Sequence, residues 1–256
     1  MISNISYFAI KTIICTEVKI FFREFQFNII APLINTILFV LIISTVNRYY
    51  SFSSNIGSYL DFFVPGMIII VVIQTGFNHL SETIISMKQC GSFDDYLISP
   101  ITRVEIFFSL LISSTIVTVF VGFLNLFFLS FFTNFLFFKY LNLFYYLIIS
   151  SIIFSSLGSV VGFLSFTWDF KSSISNFFIA PLTFLSGTFF SIESLDSKWH
   201  FLLIYNPFYY LINGFRSSFI EGYDLTLMNN FFIINIVFAT LILSIFIFKK
   251  GYRVIC

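Results

Sequence analysis

IFFSLLISSTIVTVFVGFLNLFFLSFF (Ile106–Phe132) is a run of the chain that contains no Asp, Glu, Lys or Arg. A helix that crosses a hydrocarbon core of ~30 Å needs about 20 apolar residues, because its backbone groups must hydrogen-bond within the segment. Of the 256 residues, 58% are hydrophobic and 10% are charged. A soluble domain carries roughly a quarter charged residues, so the composition indicates an all-α integral membrane protein.

Six charge-free runs of this kind predict six transmembrane helices. They cover residues about 28–46, 62–80, 106–132, 143–166, 173–192 and 231–248. No linker or soluble segment divides them, so residues 1–256 are predicted to form a single membrane domain. In the fourth span, GSVVG (Gly158–Gly162) places small residues four apart, which lets helices approach closely. Packing within one bundle is the preferred interpretation of this motif over a dimer contact.

The distribution of Lys and Arg predicts the orientation of the chain. If the N-terminus is cytoplasmic, nine of the 13 Lys and Arg residues fall in cytoplasmic segments. Cytoplasmic connections carry the excess of these residues in membrane proteins. We therefore expect both termini on the cytoplasmic side.

Residues 1–27 have the pattern of an interfacial helix. At 100° per residue, one face is apolar, and its members are Ile10, Ile14, Cys15, Val18, Phe21, Phe22 and Phe25. Glu17 and Arg23 fall on the opposite, polar face. Such a helix lies along the cytoplasmic surface before the first span. The alternative is a frayed tail.

Residues 193–220 are too apolar for a solvated loop. Asn206-Pro207 interrupts the apolar sequence in the middle, so we expect a re-entrant hairpin of two short helices on the outer side. Gly214 beside Arg216 is predicted to permit a tight turn. The alternative is a seventh span, which would place the C-terminus outside.

The segment 81–105 concentrates charge between two apolar runs. Asp94, Asp95 and Arg103 lie close together, with Ser99-Pro100 between them. Proline lacks an amide donor and restricts the residue before it, so this pair is expected to end one short helix before the next span. The segment is predicted to be the surface that a cytoplasmic partner recognises. The alternative is a solvated loop that only joins two spans.

The residue pattern lacks the groups that catalysis or a cofactor requires. His79 and His200 are the two histidines and lie in different regions, and no Gly-Lys pair of a phosphate-binding loop occurs. The spans lack the ionisable residues that an ion-coupled carrier keeps at membrane depth. We expect no catalytic, metal or cofactor site, and the net charge of +1 gives no case for nucleic acid. A driven transporter of this composition needs its ATP site on another subunit.

In order along the chain, several motifs resemble the permeases of type 2 ABC transporters. Glu17 and Arg23 ahead of Pro32 resemble the interfacial helix of that family. Four further segments resemble its second span, coupling segment, fifth span and outer hairpin: FFVPGMI (Phe62–Ile68), FDDYLISPITRVEI (Phe93–Ile106), PLTFLSGTFFSIESL (Pro181–Leu195) and NPFYYLINGFR (Asn206–Arg216). The likeness covers nearly the whole chain.

The resemblance implies an exporter permease in the bacterial inner membrane. It implies a homodimer of permeases, embedded in lipid and docked on separate ATP-hydrolysing subunits. In that arrangement Asp94, Asp95, Ser99, Pro100 and Arg103 couple the permease to the ATPase. A membrane scaffold protein that uses the same bundle without transport is the alternative of another class, and a membrane enzyme would be the third.

Overall fold

The structure, a computed structural model, describes residues 2–49, 59–99, 101–133, 139–190, 197–220 and 227–250. In these residues eleven α-helices follow one another, some joined by short π- or 3₁₀-helical turns. Their bounds are α1 Ile2–Arg23, α2 Ala31–Tyr49, α3 Tyr59–Gln89, α4 Ser92–Ile98, α5 Arg103–Leu129, α6 Tyr140–Leu164, α7 Trp168–Ile174, α8 Ala180–Phe184, α9 His200–Ile204, α10 Pro207–Arg216 and α11 Leu227–Lys250.

Five helices are long and apolar enough to cross a membrane. They are Gln26–Thr45, Tyr59–Gln89, Arg103–Phe132, Tyr140–Leu164 and Asn229–Lys250. The prediction of an all-α membrane protein is confirmed, and these helices coincide with five of the six predicted spans. Those around α3, α5 and α6 are mostly buried, whereas α2 and α11 are mostly exposed. The exposed apolar side chains of the outer helices are therefore the surface that lipid would cover.

The predicted fifth span, 173–192, differs from the observed helix. The helical run begins earlier, at Trp168, passes through a π-helical segment at Ser175–Ile179 and ends at Phe184. This run is shorter than the ~20 residues that a single membrane crossing needs. Residues 191 and 192 lie outside the described part, so the sixth crossing stays a prediction.

Helix α3 is the centre of the bundle, and it extends further than its predicted span, 62–80. Leu80, Ile84 and Met87 are buried at helical spacing after that span ends, so the helix continues to Gln89. The predicted coupling loop, 81–105, is correspondingly shorter, since only residues 90–102 separate α3 from α5.

Small residues let α6 pack directly on α3. Gly158 lies against the backbone of Phe77, and Gly162 lies against Ser81 and Ile84. Beside this contact, the hydroxyls of Ser114 in α5 and Ser155 in α6 are 2.8 Å apart. The GSVVG motif is thus used within one bundle, as the sequence predicts. Between α2 and α5, the hydroxyl of Thr36 donates to the side-chain oxygen of Asn125 over 2.7 Å.

Candidate functional site

Helix α4 is the central element of the charged segment. Gly91 begins the turn with a φ of 72°, a backbone conformation that favours glycine. Ser99 after the helix is extended, and its hydroxyl donates to the carbonyl of Tyr96 over 2.6 Å. Thr102 and Glu105 then form a capping box that starts α5. The segment is therefore a short helix held between two defined turns.

The predicted coupling residues lie at or next to this helix. Asp95 is exposed on α4. Arg103 is exposed at the start of α5 and donates through Nη1 to the carbonyl of Lys249, 3.1 Å away. Asp94 belongs to α4, but its side chain lies outside the described part of the chain, as does the whole of Pro100. The structure thus brings Asp95, Ser99 and Arg103 to one end of the bundle.

The two faces of α4 differ in character. Phe93 is 2% exposed, and its ring contacts Phe163 of α6 and Phe248 of α11 at centroid distances of 6.1 and 6.0 Å. On the outward face, Ile98 is 84% exposed, three residues after Asp95. Ile98 was not predicted as a site residue. An apolar residue one helical turn from an acid, in a segment outside the apolar runs, is the signal that could have identified it.

Lys88 fixes the end of α3 to the end of α6. Its ammonium donates to the carbonyls of Gly162 at 2.9 Å and Ser165 at 3.3 Å, and also to that of Phe163. These are the carbonyls that a helix leaves without intrahelical partners. The start of the α4 segment is therefore held rigidly against α6.

Helix α1 corrects the predicted placement of Glu17. Its buried stripe consists of Ile13, Glu17 and Phe21, each four residues apart. Ile13 belongs to one apolar cluster with Leu110 of α5, Phe21 belongs to another with Val117 further along the same helix, and the rings of Phe22 and Phe120 are 5.2 Å apart, so α1 runs alongside α5 in the same direction. Glu17 is 4% exposed and thus lies on the buried face, not on the polar one. Arg23 is exposed as predicted.

The burial of Glu17 affects its protonation. Burial raises the pKa of this carboxyl from its usual 4.5 to about 7. Burial also raises the pKa of Tyr96 in α4, and the charge of Glu17 raises it further. Glu17 therefore lies close enough to α4 to affect it electrostatically.

We expect Glu17→Gln to stabilise the protein at neutral and alkaline pH. Because the folded-state pKa lies above the unfolded value, the folded chain binds more protons between about pH 4.5 and 7, and stability falls as the pH rises through that window. Glutamine does not ionise, so the variant should not lose stability in this pH window. The melting temperature of the purified protein at pH 8 should rise by a few degrees, and its slope between pH 5 and 7 should flatten. The exposed Glu24→Gln is the matched control, and an equal effect of both variants would contradict the prediction.

A groove of about 480 Å³ separates α1 from α4. Thr12 and Thr16 line it on the α1 side, and Ser92, Asp95 and Ser99 line it on the α4 side. Ala9, Ile13 and Ile101 line it as well, so the groove is mainly apolar, with hydroxyls and one carboxylate among its lining side chains.

The segment predicted as an outer hairpin, 193–220, contains α9 and α10, and residues 193–196 lie outside the described part. Its re-entrant placement on the outer side stays a prediction. Asn206 caps α10: its side-chain oxygen accepts from the amide of Phe208 at 3.0 Å, and its Nδ2 donates to the carbonyls of Leu182 and Leu185. Pro207 occupies the first turn, where its missing amide costs nothing. The hairpin is thus tied to the end of α8.

Two residues of the hairpin behave differently from their predictions. Gly214 does not form a tight turn: it lies within α10, where a Cβ would overlap the ring of Tyr146. Arg216, expected only as the neighbour of Gly214 at the turn, is 1% exposed. Its guanidinium donates to the carbonyls of Phe62 and Gly187 and to the side-chain oxygen of Asn213. Arg216 therefore joins α10 to α3 and to the segment after α8.

A second cavity, the cleft, lies between α2, α3 and α8 and has a volume of about 620 Å³. Polar side chains of α3 line it, among them Gln74, Asn78 and Glu82. Its volume falls within the ~300–1,000 Å³ that is usual for small-molecule sites. Sequence reasoning missed the cleft, although polar residues four apart inside an apolar run were a readable signal.

No group of three or more His, Cys, Asp and Glu side chains suited to a metal ion occurs among the described residues. His79 lies in α3 against Phe21, whereas His200 begins α9, so the two histidines are not brought together.

Comparison with known proteins identifies the family. The family model described as ABC-2 type transporter matches residues 8–220. The inner membrane transport permease YadH of Escherichia coli K12 is 27% identical over 233 residues, which cover 89% of each chain. The proteins of the same name from Escherichia coli O157:H7 and Shigella flexneri match to the same extent. The chain therefore belongs to the ABC-2 type transporter family and is a multi-pass membrane transport permease.

Proposed function

We propose that this protein is the permease subunit of an ATP-driven exporter. It forms the path through the inner membrane, and a separate subunit hydrolyses ATP. The family supports a partner ATPase, the likeness to exporters supports the direction, and the distribution of Lys and Arg supports cytoplasmic termini. A homodimer of permeases is part of the proposal, since the resemblance implies it.

The observation that carries the proposal is the outward face of α4. Asp95 and the 84% exposed Ile98 project from a helix that belongs to none of the five membrane-length helices. Lipid has no access to a cytoplasmic helix, so Ile98 would be buried by contact with a partner protein. We assign this face, together with the groove between α1 and α4, as the docking surface of the ATPase.

The inward face of α4 supplies the mechanical connection. Phe93 packs among aromatic rings at the ends of α6 and α11, and Phe107 of α5 joins the same cluster. Interiors are close-packed, so a displacement of α4 must be taken up by the helices around it. Movement of the docked ATPase would therefore be transmitted through Phe93 to α5, α6 and α11. The cleft is the proposed route of the substrate.

Asp95→Lys combined with Ile98→Asp tests the docking surface. Like charges placed against a complementary surface cost several kcal/mol, and ~1.4 kcal/mol is a tenfold change in affinity. We expect the wild-type permease to copurify with an ATPase and the variant to retain at least tenfold less of it. Insertion should be normal, since no membrane-length helix is changed.

Asp169→Lys provides the matched control, because Asp169 is an exposed acid at the start of α7. This variant should keep the ATPase. If the α4 variant keeps it as well, the docking surface lies elsewhere. If the wild type brings down no ATPase but several other membrane proteins, the protein is a scaffold rather than a permease subunit of an ATP-driven exporter.

A further inference from the structure

A ladder of polar side chains runs along α3 inside the cleft. Gln74, Asn78 and Glu82 are four residues apart, so they lie on one side of the helix over about 12 Å of its length. Thr75 and His79 lie beside them. Polar residues inside membrane helices are costly and mark ligand pathways more often than packing.

The opposite wall continues the same chemistry. Asn28 of the turn before α2 and Asn35 of α2 face the cleft, with Phe39 and Phe184 beside them. Carboxamides on both walls can donate and accept hydrogen bonds, and aromatic rings offer flat apolar surfaces. The cleft is therefore amphipathic on both sides.

One atom of the ladder and one atom beside it lack hydrogen-bond partners. The side-chain oxygen of Asn78 and Nδ1 of His79 are buried, and neither has a partner in the structure. Buried polar atoms are nearly always hydrogen-bonded, because an unmet bond costs ~1–3 kcal/mol. The oxygen of Asn78 can only accept, so the group that satisfies it must be a donor.

The charge of the cleft is balanced internally. Glu82 bears the one carboxylate or cationic group among the described lining residues. Its Oε1 is 2.6 Å from Nζ of Lys171, which is 7% exposed and reaches Glu82 from α7. The pair has no net charge, so the described lining offers no unpaired cation to an anion and no unpaired carboxylate to a cation.

We propose that the cleft binds an uncharged amphipathic ligand whose head group carries several hydroxyl or amide N–H donors. The carboxamide ladder bonds the head group, with Asn78 as its main acceptor, and the phenylalanines contact the apolar part. This inference rests on the proposed function, since it names the substrate class of the proposed route. Phosphate, sulfate and quaternary ammonium head groups are poor ligands because no unpaired opposite charge lines the cleft.

Binding of three matched probes tests the inference. The full-length permease in phosphatidylcholine nanodiscs is titrated with fluorescent decyl probes that carry a glucosyl, a trimethylammonium or a phosphate head. Saturable binding is followed by fluorescence anisotropy, with empty nanodiscs as the baseline. We expect the glucosyl probe to bind at least tenfold more tightly than either charged probe. Equal or tighter binding of a charged probe overturns the proposal.

Substitutions in the ladder test whether the glucosyl probe binds in the cleft. Asn78→Leu should weaken binding of the glucosyl probe at least fivefold, and Gln74→Leu, at an exposed position of the same ladder, should weaken it about threefold. Asn235→Leu is the control, because Asn235 is exposed on α11, away from the cleft lining, and its Nδ2 donates to the carbonyl of Phe231 in the same helix. If both ladder variants bind as the control does, the site is not the cleft. Because no ATPase takes part, this result is separate from the copurification test of the proposed function.

Discussion

Arg216→Met is expected to prevent the accumulation of folded permease. The guanidinium is completely enclosed and bonds Phe62, Asn213 and Gly187 from three separate parts of the chain. It also lies over the ring of Phe62, 3.5 Å from the ring centre. Methionine has similar length but no donor, so three buried oxygens lose a partner at once. A buried acceptor that loses its partner costs ~1–3 kcal/mol, so the loss at these oxygens is a large share of the ~5–15 kcal/mol that stabilises a folded protein.

The yield of monodisperse protein after detergent extraction, with the melting temperature of what remains, measures this loss. Arg216→Lys keeps the charge but lacks the planar guanidinium with its several N–H donors. We therefore expect a yield between those of the wild type and Arg216→Met. Arg103→Met is the matched control, because Arg103 is exposed and bonds one carbonyl, that of Lys249. A surface contact of this kind is worth ~0–1 kcal/mol. If Arg216→Met and Arg103→Met give equal yields, the guanidinium does not hold α10 in place.

Composition and the length of charge-free runs were enough to predict most of the bundle. Each of the five confirmed helices needs about 20 apolar residues to cross lipid with its backbone groups hydrogen-bonded. A run of that length can be read directly from the sequence. The predicted span 173–192 shows the limit of this reasoning. Apolar composition does not distinguish one straight helix from a run that contains a π-helical segment and ends at Phe184.

Burial of single polar residues depended on tertiary contacts that the sequence did not specify. Glu17 was predicted on the polar face because the helical periodicity was used to assign the apolar side chains of residues 1–27 to the opposite face. The buried stripe instead follows Ile13 and Phe21, four residues to either side. Arg216 was counted as a loop cation, since nothing in its neighbourhood indicates that Phe62 and Gly187, distant in the chain, supply its acceptors.

The candidate site was predicted in part for the same reason. The charged segment identified α4 and Asp95, because charge is rare in this chain and its position is conspicuous. The apolar part of the proposed docking surface, Ile98, could not be separated from the many other isoleucines until its exposure was known. The cleft requires α2 and α8 to face the polar side of α3, and no local pattern specifies which helices become neighbours.

Gly158→Ala is the second change expected to have a large effect, because it adds one methyl group where two helix backbones meet. A Cβ at this position would overlap the carbonyl oxygen of Phe77 and lie 3.1 Å from its carbonyl carbon and Cα. These are backbone atoms, so no rotamer change can make room, and α6 must move away from α3. Overpacking of a core costs ~1–3 kcal/mol and sometimes more. We expect the free energy of unfolding to fall by about 3 kcal/mol or more. This net loss is expected even though alanine is favoured over glycine in a helix by ~1 kcal/mol.

A series of glycines on the same two helices separates the steric cost from helix propensity. At Gly162, a Cβ would meet the Cβ of Ile84 at 3.0 Å and the oxygen of Ser81 at 3.1 Å, so Gly162→Ala should cost less than Gly158→Ala. At Gly76, the nearest atoms are the side chains of Ser155 and Thr118 at 3.3 and 3.4 Å, which can adjust. Gly76→Ala should therefore leave the melting temperature nearly unchanged. Equal losses at positions 76 and 158 would show that the close contact between α6 and α3 does not limit stability. Since Phe77 contributes backbone atoms, shortening its side chain should not rescue Gly158→Ala, and a rescue would point to side-chain crowding instead.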